Sequence, residues 1–243
     1  MRPLAQAFGS RRYTHHTEQV HARAGKILRD LTLGLNDGMV ASFAVTSGVG
    51  AASQTSALVI IAGLAETVGG AISMGLAAFA SARAQLEFYQ SEVERENEEI
   101  QHWPEHEREE IRTIYRDKGF QGALLDQIVD HITADRARWA NVMMREELGF
   151  APESFDPPVR SGVVVALSYL LGALVPVVPY FFAQPRRGVL ASAIVALITL
   201  FILGIVKGAI TRRPLLRSGL ETALIAALAA SAAFVIGRLV GSS

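Results

Sequence analysis

Residues 57–82 read ALVIIAGLAETVGGAISMGLAAFASA, and residues 83–110 continue RAQLEFYQSEVERENEEIQHWPEHEREE. The change of character at this junction decides the fold. The first stretch holds one charged residue, Glu66, and is long enough to cross a bilayer, which takes about 20 mostly apolar helical residues. The second holds ten glutamates between Glu87 and Glu110 against two basic residues, Arg95 and Arg108, and belongs in water. A membrane span therefore runs directly into a polar helical segment.

Four more apolar stretches lie outward from this junction. One covers about Leu31 to Gly50 and contains Asn36 and Asp37; the others cover about Gly162 to Phe182, Val189 to Val206 and Leu220 to Val240. Ser53-Gln54-Thr55-Ser56 forms a short turn between the first two spans. In lipid, only helices and closed barrels satisfy the backbone, and these runs are too continuous for the alternation of barrel strands. The expected fold is all-α: a five-span transmembrane helical protein with a cytoplasmic helical domain inserted between spans two and three. Its divisions are residues 1–30 (N-terminal segment), 31–83 (spans one and two), 84–158 (inserted domain) and 159–243 (spans three to five).

The charges support this division. There are 23 basic and 23 acidic residues, but most of the acid falls in 84–156, and residues 159–243 contain only Glu221. Such segregation separates a membrane part from a water-facing part. Arg2, Arg11, Arg12, Arg23, Lys26 and Arg29 precede the first span, and Lys207, Arg212, Arg213 and Arg217 lie between the last two. An odd span count puts both groups on one side, cytoplasmic by the positive-inside rule, against the opposing pair Arg186 and Arg187. The polar N-terminus shows no cleavable signal peptide. No cysteine is present, which excludes disulfides, thiolate metal sites and thiol nucleophiles. Phosphate loops, serine elbows and zinc-protease motifs are absent, and no enzymatic activity or nucleic-acid partner is expected.

Within the insertion, Arg83 to Gln101 reads as one helix. Pro104 followed by Glu105, Glu107, Glu109 and Glu110 reads as the start of another, ending at Gly119. A third begins near Gly122, with Leu124, Leu125, Ile128, Val129 and Ile132 as an apolar stripe, and runs to Gly149 with a break at Thr133. Glu96 and Glu99 are three residues apart, as are Glu107 and Glu110. Each pair shares a helix face, where like charges repel unless a cation sits between them; a solvated acidic face is the alternative. Met143 and Met144 lie four and three residues before Glu147, so thioether and carboxylate face the same way. A mixed sulfur and oxygen set suits a transition metal better than calcium or magnesium, although methionine also serves as core filler. Glutamates must ionise to bind, so metal loading is expected to weaken toward pH ~4–5.

Inside the spans, Asp37 and Glu66 are ionisable groups at membrane depth and functional candidates by default. Met74 falls about 80° round the helix from Glu66, on the same broad face. Capping in Asn36-Asp37-Gly38 is the structural alternative for Asp37. Glu18-x-x-His21 and Glu99-x-x-His102 match an element of di-iron bundles, and His15-His16 reads as a solvated tail.

Asp37-Gly38-Met39, Glu66-Thr67, Ser73-Met74-Gly75, the glutamate-rich helix, Met143-Met144-x-x-Glu147-Leu148-Gly149 and Pro176-x-x-Pro179-Tyr180-Phe181-Phe182 together resemble the vacuolar iron transporter family, over about Lys26 to Val240. That resemblance implies a homodimer exchanging Fe2+ for protons and moving metal out of the cytoplasm. It implies Glu96, Glu99, Glu107, Glu110, Met143, Met144 and Glu147 as metal ligands, and Asp37, Glu66 and Met74 as the membrane pathway. Mn2+, Co2+ and Zn2+ are further candidate substrates, no prosthetic group is expected, and a bacterial inner membrane is the expected location. The competing classes are a membrane-tethered ferroxidase and a metal-binding or sensing protein without transport.

Overall fold

The computed structural model describes residues 15–150 and 155–241, with side chains placed over 25–150 and 155–240. The side chains of Glu18, His21, His15 and His16 therefore lie outside the described residues. The described chain is all-helical: α1 His15–Ala52, α2 Ser56–His102, α3 Pro104–Asp117, α4 Gly122–Thr133, α5 Arg136–Glu146, α6 Pro158–Val177, α7 Pro185–Ile210 and α8 Leu215–Gly241. A 3-10 turn, Val178–Phe181, follows α6. The chain divides into two compact units. One contains α1, the first part of α2 and α6 to α8; the other, Ala80–Pro158, contains the rest of α2 and α3 to α5.

Four helices of the described residues are long and apolar enough to cross a membrane: α2, α6 with its 3-10 extension, α7 and α8. The expected first span lies in α1, which does not reach that apolarity because it carries a polar stripe. Ser42, Thr46 and Ser47 are buried, the Thr46 hydroxyl donates to Ser42 O at 2.8 Å, and the Tyr180 hydroxyl donates to Thr46 O at 3.0 Å. This helix packs along α7 and α8. Asp37 lies in its interior, so the capping alternative is overturned: a helix-interior residue has no orphan first-turn amide to accept from.

One other boundary changes. The second span and the glutamate-rich helix are one 47-residue helix, α2. No glycine or proline occurs between Gly75 and Pro104, so nothing breaks the ladder where lipid-compatible sequence ends. The third stretch of the insertion breaks at Thr133 into two helices, as expected. There Ala134 N donates to Asp130 O, and the Asp135 side chain caps α5 by accepting from Arg138 N at 2.7 Å.

The second unit has its own core: Ile100 of α2, Ile111 of α3, Leu125, Val129 and Ile132 of α4, and Trp139, Ala140 and Met143 of α5. At its surface Arg108 donates to Asp130 and to Thr133 Oγ1, and Arg112 donates to Asp126. These contacts tie α3 to α4 across the edge of the apolar layer.

Candidate metal site

The reversal between α2 and α3 builds the site. Trp103 alone separates the two helices. Its N–H donates to Glu99 O, and its own carbonyl accepts from Glu107 N at 3.1 Å, starting the helix in which Pro104 supplies a preset φ. The end of α2 and the start of α3 are thereby held side by side, each presenting its glutamate pair.

Carboxylate oxygens of Glu96, Glu99 and Glu107 lie within 4.8 Å of one another. Glu96 is 1% exposed and Glu107 3%. Glu96 Oε1 and Glu107 Oε2 are buried with no hydrogen-bond partner among the described residues. Leaving such oxygens unsatisfied is costly, and repulsion adds to that cost. Burial, then the charges of Glu107, Glu147 and Glu99, pushes the Glu96 carboxyl up to about 8. Burial, followed by Glu110 and Glu99, raises Glu107. Burial and then Glu110 raise Glu147, the C-cap residue of α5. Arg95 offsets part of this charge by pairing with Glu92 at 2.7 Å and Glu99 at 3.4 Å. A cation would satisfy the orphan oxygens and cancel the repulsion together. The expected pH window of ~4–5 is therefore too low for Glu96, because reference values describe solvated carboxyls.

Glu107 also belongs to a second group, with His106 and Glu110, whose ligand atoms again lie within 4.8 Å of one another. His106, Glu110 and Glu147 line one surface groove of about 340 Å3 with Glu109 and Asp117. Spacing arguments passed over His106; its signal is the four-residue separation from Glu110. Met143 and Met144 are both buried, and Met143 packs within the apolar cluster of Ile100, Ile111 and Val129. His102 is exposed, with Nδ1 against Glu98 O at 2.8 Å, and falls in neither group. The Glu99-x-x-His102 element is thus not assembled as a ligand pair.

In the first unit Glu66 and Met74 converge on a residue of α6 that sequence reasoning missed. The Tyr169 hydroxyl donates a short hydrogen bond to Glu66 Oε1, while Glu66 Oε2 is buried without a partner among the described residues. Met74 packs against the cluster of Ala71, Tyr169 and Ala173. Asp37 is exposed but near enough to interact electrostatically with Glu66. A Cβ on Gly70 would lie 2.2 Å from the Tyr169 hydroxyl, and one on Gly38 would lie 2.3 Å from the Tyr169 carbonyl oxygen. Glycine at position 70 makes room for the ring, and glycine at position 38 lets α1 approach the α6 backbone. The signal available in the sequence was a polar pair, Ser168-Tyr169, in the middle of a mostly apolar span.

These features define a multi-pass, all-helical membrane protein with clustered acid side chains in both units. The chain belongs to the VIT family, whose family model matches residues 28–238. It is 38% identical over 239 residues to vacuolar iron transporter 1 of Oryza sativa subsp. japonica, covering 98% of this chain and 94% of that one. It is 37% identical to vacuolar iron transporter 1 of Arabidopsis thaliana, covering 93% and 90%. Protein CCC1 of Saccharomyces cerevisiae is 30% identical, covering 89% and 70%. The expected bacterial inner membrane draws no support from relatives named as vacuolar transporters.

Proposed function

We propose that the protein is a divalent transition-metal transporter whose main substrate is ferrous iron, exchanged for protons and moved out of the cytoplasm. The observation that carries this reading is the group of Glu96, Glu99 and Glu107, two of them buried with oxygens that lack a hydrogen-bond partner among the described residues. That arrangement is costly without a cation and satisfied with one. Similarity across nearly the whole chain to proteins named iron transporters supplies the transport half of the reading.

In this reading α1 is the fifth span, its polar stripe lining a route, and the second unit is cytoplasmic. Two copies of the chain associate. Glu96, Glu99, Glu107, Glu110 and Glu147 collect metal, with Met143 and Met144 behind them. Asp37, Glu66 and Met74 line the pathway, where a carboxylate releases a proton as it takes a metal and a thioether favours transition metals. Mn2+, Co2+ and Zn2+ share the donor preferences and are secondary substrates. The non-transporting and ferroxidase readings are disfavoured, the latter because His102 stands apart from the carboxylates.

Metal uptake and internal pH in proteoliposomes of the purified protein test this. Fe2+ flux with opposed proton movement is expected, and Asp37→Asn and Met74→Ala should each abolish it in folded protein. Metal binding without flux would return the protein to the sensing class.

A further inference from the structure

We propose that the His106 imidazole is the nitrogen ligand of a second, outer cation position, joined to the inner one through Glu107. The inference deepens the metal-binding reading above and rests on it. Two donor groups share one residue: Glu96, Glu99 and Glu107 form one, and His106, Glu107 and Glu110 the other. The shared side chain is 3% exposed and keeps Oε2 without a hydrogen-bond partner among the described residues. A carboxylate has two oxygens and bridges two cations when both are in reach. His106 and Glu110 are four residues apart, with Nε2 and Oε1 at 3.3 Å; donors at that helical spacing chelate a metal from one face, as in helical zinc motifs.

Position and chemistry then separate the two sites. The inner group is all oxygen, a set that calcium and magnesium also accept. Imidazole suits iron, zinc and copper-type ions and adds little for the hard ones. His106 is also the exposed member of its group and lines the groove beside Glu110 and Glu147. The outer position is therefore where an arriving ion meets a nitrogen donor, and selection against calcium and magnesium falls there, while Met143 remains within the apolar cluster. The alternative is a surface pair between His106 and Glu110 that adds little to stability and nothing to binding.

The test uses the full-length protein in detergent loaded with Mn2+ at neutral pH, read by electron spin echo envelope modulation for nitrogen-14. Wild type and His102→Ala should show imidazole modulation, and His106→Ala should lose it. Calorimetry should show one fewer Co2+ bound, or one weakened about tenfold or more, in His106→Ala, with Ca2+ binding changed less than about twofold. Mn2+ bound without nitrogen modulation in wild type, or modulation that persists in His106→Ala, overturns the imidazole ligand and leaves the carboxylate site standing. Absence of any bound metal in wild type overturns both.

Discussion

The Glu96 carboxyl, pushed up to about 8 from an ordinary 4.5 by burial and by Glu107, Glu147 and Glu99, holds its proton at neutral pH in the metal-free protein. Metal must displace that proton, so affinity should rise as pH climbs from about 6 to 8, with proton release measurable by calorimetry in buffers of different ionisation enthalpy. Glu96→Gln should flatten this dependence and weaken binding by about tenfold or more, as expected when a charged ligand is lost. Stability carries the opposite sign from that of a paired carboxylate. The folded-state value lies above the unfolded one, so the folded form binds more protons between about 4.5 and 8, and stability falls as pH rises through that window. Metal-free protein should therefore melt lower at pH 8 than at pH 5.5, and added Co2+ should reverse the order. A melting temperature that rises from pH 5.5 to 8 without metal would contradict the buried, protonated carboxyl. At Tyr169, removing the hydroxyl leaves Glu66 with no donor among the described residues, at a cost of about 1–3 kcal/mol. Tyr169→Phe should lower the melting temperature in detergent, and an unchanged value would show that the hydrogen bond contributes nothing.

Helices α3 and α4 meet through an apolar layer and a polar fringe, and the two should differ sharply in consequence. Ile111 is fully buried in the cluster with Val129 and Leu125, so Ile111→Ala should cost about 2–5 kcal/mol. Arg112, whose partners Asp126 and Glu109 are exposed, should cost no more than about 1 kcal/mol when replaced by alanine. Protease resistance of the full-length protein on a temperature ramp ranks the two, and equal losses would mean that the ion pairs matter as much as the core. In the membrane unit, Gly70→Ala would drive a methyl into the Tyr169 ring and hydroxyl at 2.2–2.4 Å. Such overpacking costs about 1–3 kcal/mol, and the melt of that variant should fall accordingly.

For the whole molecule, four helices of the described residues are long and apolar enough to cross a membrane, and α1 packs along two of them, α7 and α8. If α1 crosses, the basic groups around Lys26 and around Arg213 share the cytoplasmic side and the C-terminus lies opposite. A fluorescent reporter that matures only in the cytoplasm, fused after Ser243, should then be dark; bright cells would make the span count even. The amino-acid sequence by itself determined the helical class, the apolar segments of α2 and α6 to α8, and the glutamate-rich insertion. Hydrophobic length and charge are local quantities, summed along the chain without knowledge of neighbours. The resemblance, likewise carried by local motifs, pointed to the glutamates. Tertiary structure decided which acids are buried, and hence that the Glu96 carboxyl is pushed up to about 8, because desolvation depends on what packs around a side chain. It also decided that Met143 packs in a core, that His106 joins Glu107 and that Tyr169 meets Glu66, since those approaches require helices to lie against one another at distances no spacing rule contains.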